Sequence, residues 1–173
     1  MKKHSALSLL ISISLMLFSL PSPSVTLESE VIADISKRSH TPVGELKTLF
    51  ADCDKAMSQL DMHLCADKDA TTASFKLKQI LFNKKSQLLI CKSQLKEKIA
   101  QWEKLRDNAC DKATEDSKDG SIWTTLLLNC VTDETTKMVK KLDKINNCNE
   151  LNKIVEPIQI EPGLYSPCGK ASC

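Results

Sequence analysis

The chain has 173 residues, of which 24 are basic, 22 are acidic and eight are cysteines. Lys2 and Lys3 lie in an N-terminal segment that resembles a leader peptide, and without them the chain has 22 basic and 22 acidic residues. A balanced charge lacks the positive field that attracts a nucleic-acid backbone, so a nucleic acid is excluded as the expected partner. The interspersed charges are typical of a solvated surface.

The first 24 residues have the organisation of a secretory signal peptide. Lys2 and Lys3 form a basic start, residues 6–20 are an apolar run, and the residues after it are small. The apolar run is short for a transmembrane anchor. We therefore expect a periplasmic or secreted protein whose leader is cleaved and which keeps no stable membrane anchor.

Composition divides the remaining chain into three parts. Residues 25–51 read as a flexible lead-in, with a short helix from Val31 to Ser36. Residues 52–152 read as a helical domain, because they contain almost no glycine or proline. Residues 153–173 contain several prolines and glycines and read as an extended tail.

The cysteines predict a disulfide framework. An even number in a small exported protein favours bridges over free thiols, and eight cysteines allow 105 pairings. Spacing must therefore select among the pairings. The eight are Cys53, Cys65, Cys91, Cys110, Cys130, Cys148, Cys168 and Cys173.

The segment DCDKAMSQLDMHLC contains a helix start between two cysteines. Ser58 followed by Asp61 resembles a capping box, with Asp in place of the usual Glu. If Ser58 is the N-cap, Cys65 lies about two turns into the helix and Cys53 lies outside it. The residues before Ser58 can then fold back, which makes a Cys53–Cys65 bridge feasible.

Two longer helices follow. Apolar residues recur at three- and four-residue steps from Leu77 to Arg106, which predicts an amphipathic helix of about thirty residues, bent at a polar turn near Lys84. A second apolar stripe runs from Trp123 to Ile145. The polar loop around Gly120 joins them and predicts an antiparallel hairpin.

The hairpin places two pairs of cysteines side by side. Cys110 and Cys130 each lie ten residues from Gly120, while Cys91 lies twenty-nine before it and Cys148 twenty-eight after it. Both pairs can therefore form disulfides that connect the two arms of the hairpin. Cys91 can alternatively be a free thiol on the apolar stripe. By elimination, Cys168 pairs with Cys173 in the tail.

Three groups of residues carry a family resemblance: Cys53, Ser58, Gln59, Asp61, Met62 and Cys65, then Trp102, Arg106, Asp107 and Cys110, then Gly120, Ser121, Cys130, Thr132 and Glu134. Together they resemble the lysozyme inhibitor LprI-like family, and the resemblance covers residues 52–145. It implies a small, helical, exported protein, mostly found in bacteria, whose named activity is inhibition of lysozyme.

The chain departs from the family pattern at several positions. His63 stands where the family usually has Asn, and Thr135 stands where it often has Arg. Four of the cysteines are additional. These changes leave the cysteine-clamped scaffold intact.

Catalysis and metal binding find little support in the sequence. Beyond the leader only His40 and His63 remain, and His63 and Cys65 point in different directions on a helix. The segment starting at Asp52 lacks the glycine and closing glutamate of a calcium loop. We therefore expect no enzyme activity, no metal and no cofactor.

The loop between the two long helices is the candidate for partner binding. It carries Glu115, Asp116 and Asp119, and Trp123 follows it. Lysozymes are commonly basic, so a protruding acidic loop suits an inhibitor; the alternative is a solvated turn.

Trp102 and Arg106 lie four residues apart, so they share one helix face. They predict a structural cation–π pair, and the alternative is a binding spot.

The sequence thus predicts an all-α protein, an antiparallel helical hairpin with a short N-terminal helix, stapled by disulfides. Its expected function is non-catalytic inhibition of lysozyme or a related wall-cleaving hydrolase. The alternative is an envelope or secreted interaction or effector protein that uses the same scaffold for another partner.

Overall fold

The secondary structure is helical. The structure, a computed structural model, describes residues 26–56 and 58–166. These two ranges contain no β-strand, so the all-α prediction is confirmed. The predicted signal peptide, Cys168 and Cys173 lie outside the described residues. The α-helices are α1 (Leu27–Ser39), α2 (Val43–Phe50), α3 (Gln59–Gln87), α4 (Lys92–Ala113) and α5 (Trp123–Asp143).

Helices α3, α4 and α5 form a bundle in which the chain runs up, down and up. At one end, the Gln59 side-chain amide donates to the Ser121 hydroxyl at 2.5 Å, just before α5 begins. At the other end, the Lys84 side-chain nitrogen donates to the carbonyl oxygen of Asp143 at 3.0 Å. Helices α3 and α5 are therefore parallel. Disulfides from both ends of α4 to α5 and the segment after it make α4 antiparallel to them.

The core of the bundle is built from apolar side chains of all three helices. Leu95 and Leu142 are fully buried, and Trp102 is 2% exposed. Burying one such side chain contributes roughly 1.5–3 kcal/mol relative to leaving it in water. The other core residues contributed by these helices are Leu77, Ile99 and Met138, and Cys91 joins them from the connection before α4.

The stripe from Leu77 to Arg106 does not form one bent helix. Helix α3 ends at Gln87, the chain leaves helical geometry at Leu88 (φ −108°, ψ 46°), and α4 begins at Lys92. A helix of about thirty residues would be about 45 Å long, whereas α5, with 21 residues, is about 32 Å long. Folding the stripe back on itself lets both halves pack against α5.

The predicted hairpin corresponds to α4 and α5, which meet at the turn around Gly120. Ser58 is the N-cap of α3, as predicted, and its hydroxyl accepts from the Asp61 backbone N–H at 3.0 Å. The helix it begins is 29 residues long, so it is the third member of the bundle rather than a short N-terminal helix.

Residues 25–51, expected to be a flexible lead-in, form two helices from Leu27 onward. Thr26 caps α1 by accepting from the Ser29 backbone N–H at 3.2 Å. The apolar face of α1 packs on α2 and on the start of α3, and Ile35 and Leu46 are both fully buried. These apolar side chains need a second surface to cover them, and α3 supplies it.

Arg38 fixes the end of α1 on α3. Its guanidinium contacts Asp34 at 2.9 Å within α1 and Asp67 of α3 at 3.0 Å. The same side chain donates to the Thr71 hydroxyl at 3.0 Å. These contacts connect segments about thirty residues apart in sequence, which local spacing does not reveal.

The disulfides are the three that the spacing proposed. Cys53 is bonded to Cys65 and Cys91 to Cys148, each with 5.9 Å between Cα atoms, and Cys110 to Cys130 with 5.6 Å. No cysteine of the described ranges is free, so Cys91 is not the unpaired thiol considered as the alternative.

Lys84 is buried, although its sequence position suggested a polar turn. It is 4% exposed, and its side-chain nitrogen donates to the carbonyl oxygens of Asp143 and Ile145 at 3.0 and 2.7 Å. Carbonyls at the end of a helix have no partner within the helix. Lys84 therefore satisfies the C-terminal end of α5 from the neighbouring helix.

We expect the longest disulfide loop to contribute most to stability. Replacing Cys91 and Cys148 by alanine removes a bridge between residues 57 positions apart and should lower the free energy of unfolding by about 4 kcal/mol, because the unfolded chain regains more freedom. The matched double replacement of Cys53 and Cys65, 12 positions apart, should cost about 3 kcal/mol. Guanidinium unfolding followed by circular dichroism measures both, and the reverse ranking would contradict this account.

Replacing Lys84 by methionine should lower the free energy of unfolding by about 1–3 kcal/mol, because the buried carbonyl of Ile145 and the partly buried carbonyl of Asp143 lose their donor. Lys85→Met is the matched control. The Lys85 side chain makes no hydrogen bond or ion pair with another described residue, so this variant should stay within about 0.5 kcal/mol of the parent. Equal unfolding midpoints for the two variants would show that Lys84 does not cap α5.

Candidate functional site

The turn between α4 and α5, residues 114–122, closes one end of the bundle. It is built from successive tight backbone hydrogen bonds. The Ser117 N–H donates to the Thr114 carbonyl at 3.0 Å, the Gly120 N–H to the Ser117 carbonyl at 2.8 Å, and the Trp123 N–H to the Gly120 carbonyl at 3.1 Å. The turn is therefore a defined structure that presents its side chains from a fixed backbone.

Gly120 is a close-packed point of this turn. A Cβ added there would lie 3.1 Å from the backbone oxygen of Ser117, which is tighter than ordinary van der Waals contact. Because Gly120, predicted near the apex, has no side chain, the backbone there can pack closely against the backbone of Ser117.

Thr114 holds the turn to both helices. It is 1% exposed, and its hydroxyl donates to the Cys110 carbonyl at 2.9 Å. The same hydroxyl accepts from the indole N–H of Trp123 at 3.1 Å. Trp123, which the sequence suggested as an exposed contact, is half-buried and contributes to the shape of the turn.

The acidic residues of the turn point into solvent. Glu115, Asp116 and Asp119 are exposed, and none makes an ion pair with another described residue. Residues 107–119 carry five acidic side chains and two lysines, a net charge of −3. This end of the bundle is therefore a negative surface on a rigid frame, where the sequence predicted a partner-binding loop.

The start of α3 lies beside this turn. The hydrogen bond from Gln59 to Ser121 joins them directly, and Ser58 caps the helix one residue earlier. Residues about sixty positions apart in the chain therefore meet at one end of the bundle. Two of the motif groups quoted from the sequence converge here.

A groove of about 510 Å³ lies between the end of α4 and the chain that returns after α5. Lys112 and Asp116 line one wall, and residues 158–163 form the other. The sequence predicted only an extended tail here. A weak signal was available in the alternation of apolar and polar residues at 158–161, but nothing local shows which helix they contact.

Tyr165 anchors this returning segment. It is 6% exposed and packs against the Cys110–Cys130 disulfide. Its hydroxyl donates to the Asp133 carboxylate at 2.6 Å. Burial, together with this bond to a carboxylate, raises the pKa of Tyr165 above its ordinary value. The described part of the tail is therefore held by Tyr165 and by Ile154, which is buried in the bundle core together with the preceding Leu151.

Trp102 and Arg106 form the structural pair predicted from their spacing. The guanidinium carbon of Arg106 lies 5.1 Å from the centre of the Trp102 ring. Arg106 also donates to the Thr135 hydroxyl at 3.1 Å and to the Asp107 carboxylate at 2.7 Å. Arg106 thereby links the buried Trp102 of α4 to Thr135 of α5.

The Cys–His arrangement considered from the sequence does not form a nucleophile. The sulfur of Cys65 is bonded to Cys53. The Nδ1 atom of His63 is buried and has no hydrogen-bond partner among the described residues. The described ranges also contain no cluster of three or more metal-binding side chains.

Comparison with known proteins identifies the family. A family model described as "Lysozyme inhibitor LprI" matches residues 51–142, which is more than half of the chain. The chain belongs to the LprI lysozyme inhibitor family. An uncharacterized protein of Rhizobium meliloti (strain 1021) is 27% identical over 113 residues, covering 54% of this chain and 78% of that protein. No solved structure matches the chain.

The LprI match covers the three-helix bundle and the acidic turn but excludes α1 and the groove-forming segment 158–163. LprI membership and the disulfides suggest an exported protein. No helix in the described part of the chain is long and apolar enough to cross a bilayer.

A double-mutant cycle tests whether Thr114 and Trp123 hold the turn together. Thr114→Val and Trp123→Phe each remove one partner of the indole–hydroxyl bond while keeping most of the side-chain volume. We expect a coupling free energy of about 0.5–1.5 kcal/mol between them, measured by chemical unfolding. Thr114→Val with Trp102→Phe is the control cycle, since no hydrogen bond joins that pair. A coupling of zero for the first pair would contradict the assignment.

Proposed function

We propose that this LprI-family protein binds lysozyme, or a related wall-cleaving hydrolase, and blocks its substrate cleft without catalysis. One observation carries the proposal: the family match spans the disulfide-clamped bundle and includes the whole exposed acidic turn. The turn supplies negative charge, and a basic lysozyme supplies the complementary surface.

The position of Cys110–Cys130 supports this use of the turn. The bridge lies at the end of α4, and both of its cysteines are fully buried. With Thr114 bonded to Trp123, it fixes the backbone that carries Glu115 and Asp116. A binding loop that is already ordered loses little conformational entropy on association. Little of the favourable binding free energy of its charges is therefore offset by ordering the loop.

The charges and the groove have different roles in the proposed complex. Exposed carboxylates at the rim of an interface mainly increase the rate of encounter with a cationic partner. The groove beside Asp116, with its apolar wall at Ile158 and Ile160, receives a protruding side chain or loop of the hydrolase. Occlusion of the sugar-binding cleft is then steric, and no cofactor takes part.

The decisive experiment is inhibition of wall lysis by chicken-type, goose-type and invertebrate-type lysozymes, with direct binding measured in parallel. The oxidised mature protein should inhibit at least one class, and reduction of its disulfides should abolish the effect because the turn loses its frame. Absence of both inhibition and binding for every class would overturn the proposal. The scaffold would then serve another envelope or host partner.

Neutralising the turn should weaken inhibition. The triple variant Glu115→Gln, Asp116→Asn, Asp119→Asn should raise the inhibition constant roughly tenfold at low salt and less at high salt, because three exposed charges are removed. The matched control neutralises three exposed acids on α1 and α2: Glu28→Gln, Glu30→Gln and Glu45→Gln.

Inhibition constants measured across a salt series separate the two triple variants. The control should inhibit like the parent protein. An equal loss in both variants would assign the effect to overall charge, and no loss in either would exclude the turn as the contact.

A further inference from the structure

The connection between α3 and α4, at the opposite end from the acidic turn, exposes apolar side chains. Ile90 is 99% exposed, Leu89 is 71% exposed, and Phe82 on the last two turns of α3 is 72% exposed. Single exposed apolar residues are ordinary, but neighbouring ones at the end of a molecule mark an interaction site. We call residues 82–96 the basic tip.

Positive charge surrounds these apolar residues. Residues 82–96 contain four lysines and no acidic residue, and three of the four are not buried, although the chain as a whole is nearly balanced. Lys85, Lys92 and Lys96 line a shallow depression of about 570 Å³ together with Leu89 and Ile90. None of these three lysines makes an ion pair with another described residue, so their charge is available to a partner.

The end of α5 adds to the same positive surface. Lys84 binds the carbonyl oxygens of Asp143 and Ile145, so the last turn of α5 lies beside the last turn of α3. Lys140 and Lys144 are exposed there and form no ion pair within the described ranges. The positive field therefore comes from three helices and is not confined to one loop.

The fold holds the apolar residues outward. Leu88 and Cys91, on either side of Leu89 and Ile90, are 5% and 3% exposed, and Cys91 is bonded to Cys148. The two exposed residues lie in a short 3₁₀ segment between buried anchors. The buried residues on either side and the Cys91–Cys148 disulfide therefore hold Leu89 and Ile90 in exposed positions.

We propose that the basic tip docks on an anionic lipid surface. Leu89 and Ile90 enter the boundary between headgroups and acyl chains, and the surrounding lysines contact the headgroup phosphates. Apolar side chains projecting from a cluster of lysines are the combination that binds reversibly to anionic bilayers. The contact is peripheral, which agrees with the absence of a membrane-spanning helix in the described part of the chain.

Two features favour a lipid surface over a second copy of this chain. A symmetric contact between two tips would bring lysine against lysine. Residues 82–96 contain no acidic residue, and the two exposed acids at its border, Glu97 and Asp143, are fewer than the exposed lysines around it. The tip is also a projecting end that carries its apolar residues outward. A planar partner covered with negative charge fits this shape and charge.

The proposal does not depend on the inhibitor function. Helix α4 has 22 residues and is about 33 Å long, and it separates the basic tip from the acidic turn. Tip variants should therefore keep full inhibition of lysozyme in solution. Failure of one proposal leaves the other testable.

The test is flotation of the oxidised mature protein with vesicles. Phosphatidylglycerol–phosphatidylethanolamine vesicles are compared with phosphatidylcholine vesicles at low and high salt. The variants are Leu89→Ser with Ile90→Ser and, separately, Lys92→Gln with Lys96→Gln. The controls change exposed residues elsewhere: Leu60→Ser, which is 66% exposed, for the apolar pair, and Lys47→Gln with Lys104→Gln for the charge pair.

We expect binding to anionic vesicles only, weakened by salt, and reduced at least tenfold by either pair of tip substitutions while the controls bind like the parent. Relative to the parent, whose Trp102 and Trp123 lie outside the tip, the Ile90→Trp variant should gain a blue-shifted emission with anionic vesicles that brominated lipid quenches. Binding to neither vesicle type, or equal loss in the controls, would overturn the proposal. So would a concentration-dependent dimer abolished by the same tip substitutions, which would make the tip a contact between copies.

Discussion

The parallel packing of α3 against α5 is the arrangement on which the other features depend. It is fixed at one end by Gln59 and Ser121 and at the other by Lys84, which satisfies the final carbonyls of α5. Parallel neighbours require the chain to return between them, and α4 is that return. The two longest disulfide loops then fasten α4 along α5. The basic tip lies where the chain passes from α3 to α4, and the acidic turn lies where it passes from α4 to α5.

Sequence periodicity and spacing predicted the parts of the fold that depend on local order. The helix start at Ser58 and the antiparallel α4–α5 hairpin follow from capping chemistry and from distances to Gly120. The reversal at Leu88 was missed because no glycine or proline marks it and the apolar spacing continues across it. In residues 26–51 only a short helix from Val31 to Ser36, which lies inside α1, was expected. The full length of α1 and all of α2 were missed for a different reason, since their apolar faces are covered by α3, far along the chain.

The candidate surface was only partly visible in the sequence. Its three acidic side chains lie in a polar loop, where charged groups remain in water, and the structure shows them exposed. Their role in binding stays a prediction. The sequence could not show that Trp123 turns inward to Thr114 or that residues 158–163 return to form a groove. Both depend on tertiary contacts. Summing charge over the whole chain also concealed its separation into an acidic end and a basic end.

The nesting of the disulfides has a consequence for how the protein matures. The Cys110–Cys130 bridge lies inside the loop closed by Cys91 and Cys148. LprI membership suggests export, and a chain exported N-terminus first would present Cys91 together with Cys110 before either native partner had emerged. If each cysteine bonded to the next one to emerge, Cys53–Cys65 would form correctly. Cys91 would then bond to Cys110 and Cys130 to Cys148, and neither of these pairs is native. Correct maturation therefore requires either delayed oxidation or thiol–disulfide exchange, and the yield of active protein should depend on the isomerase capacity of the compartment that receives it.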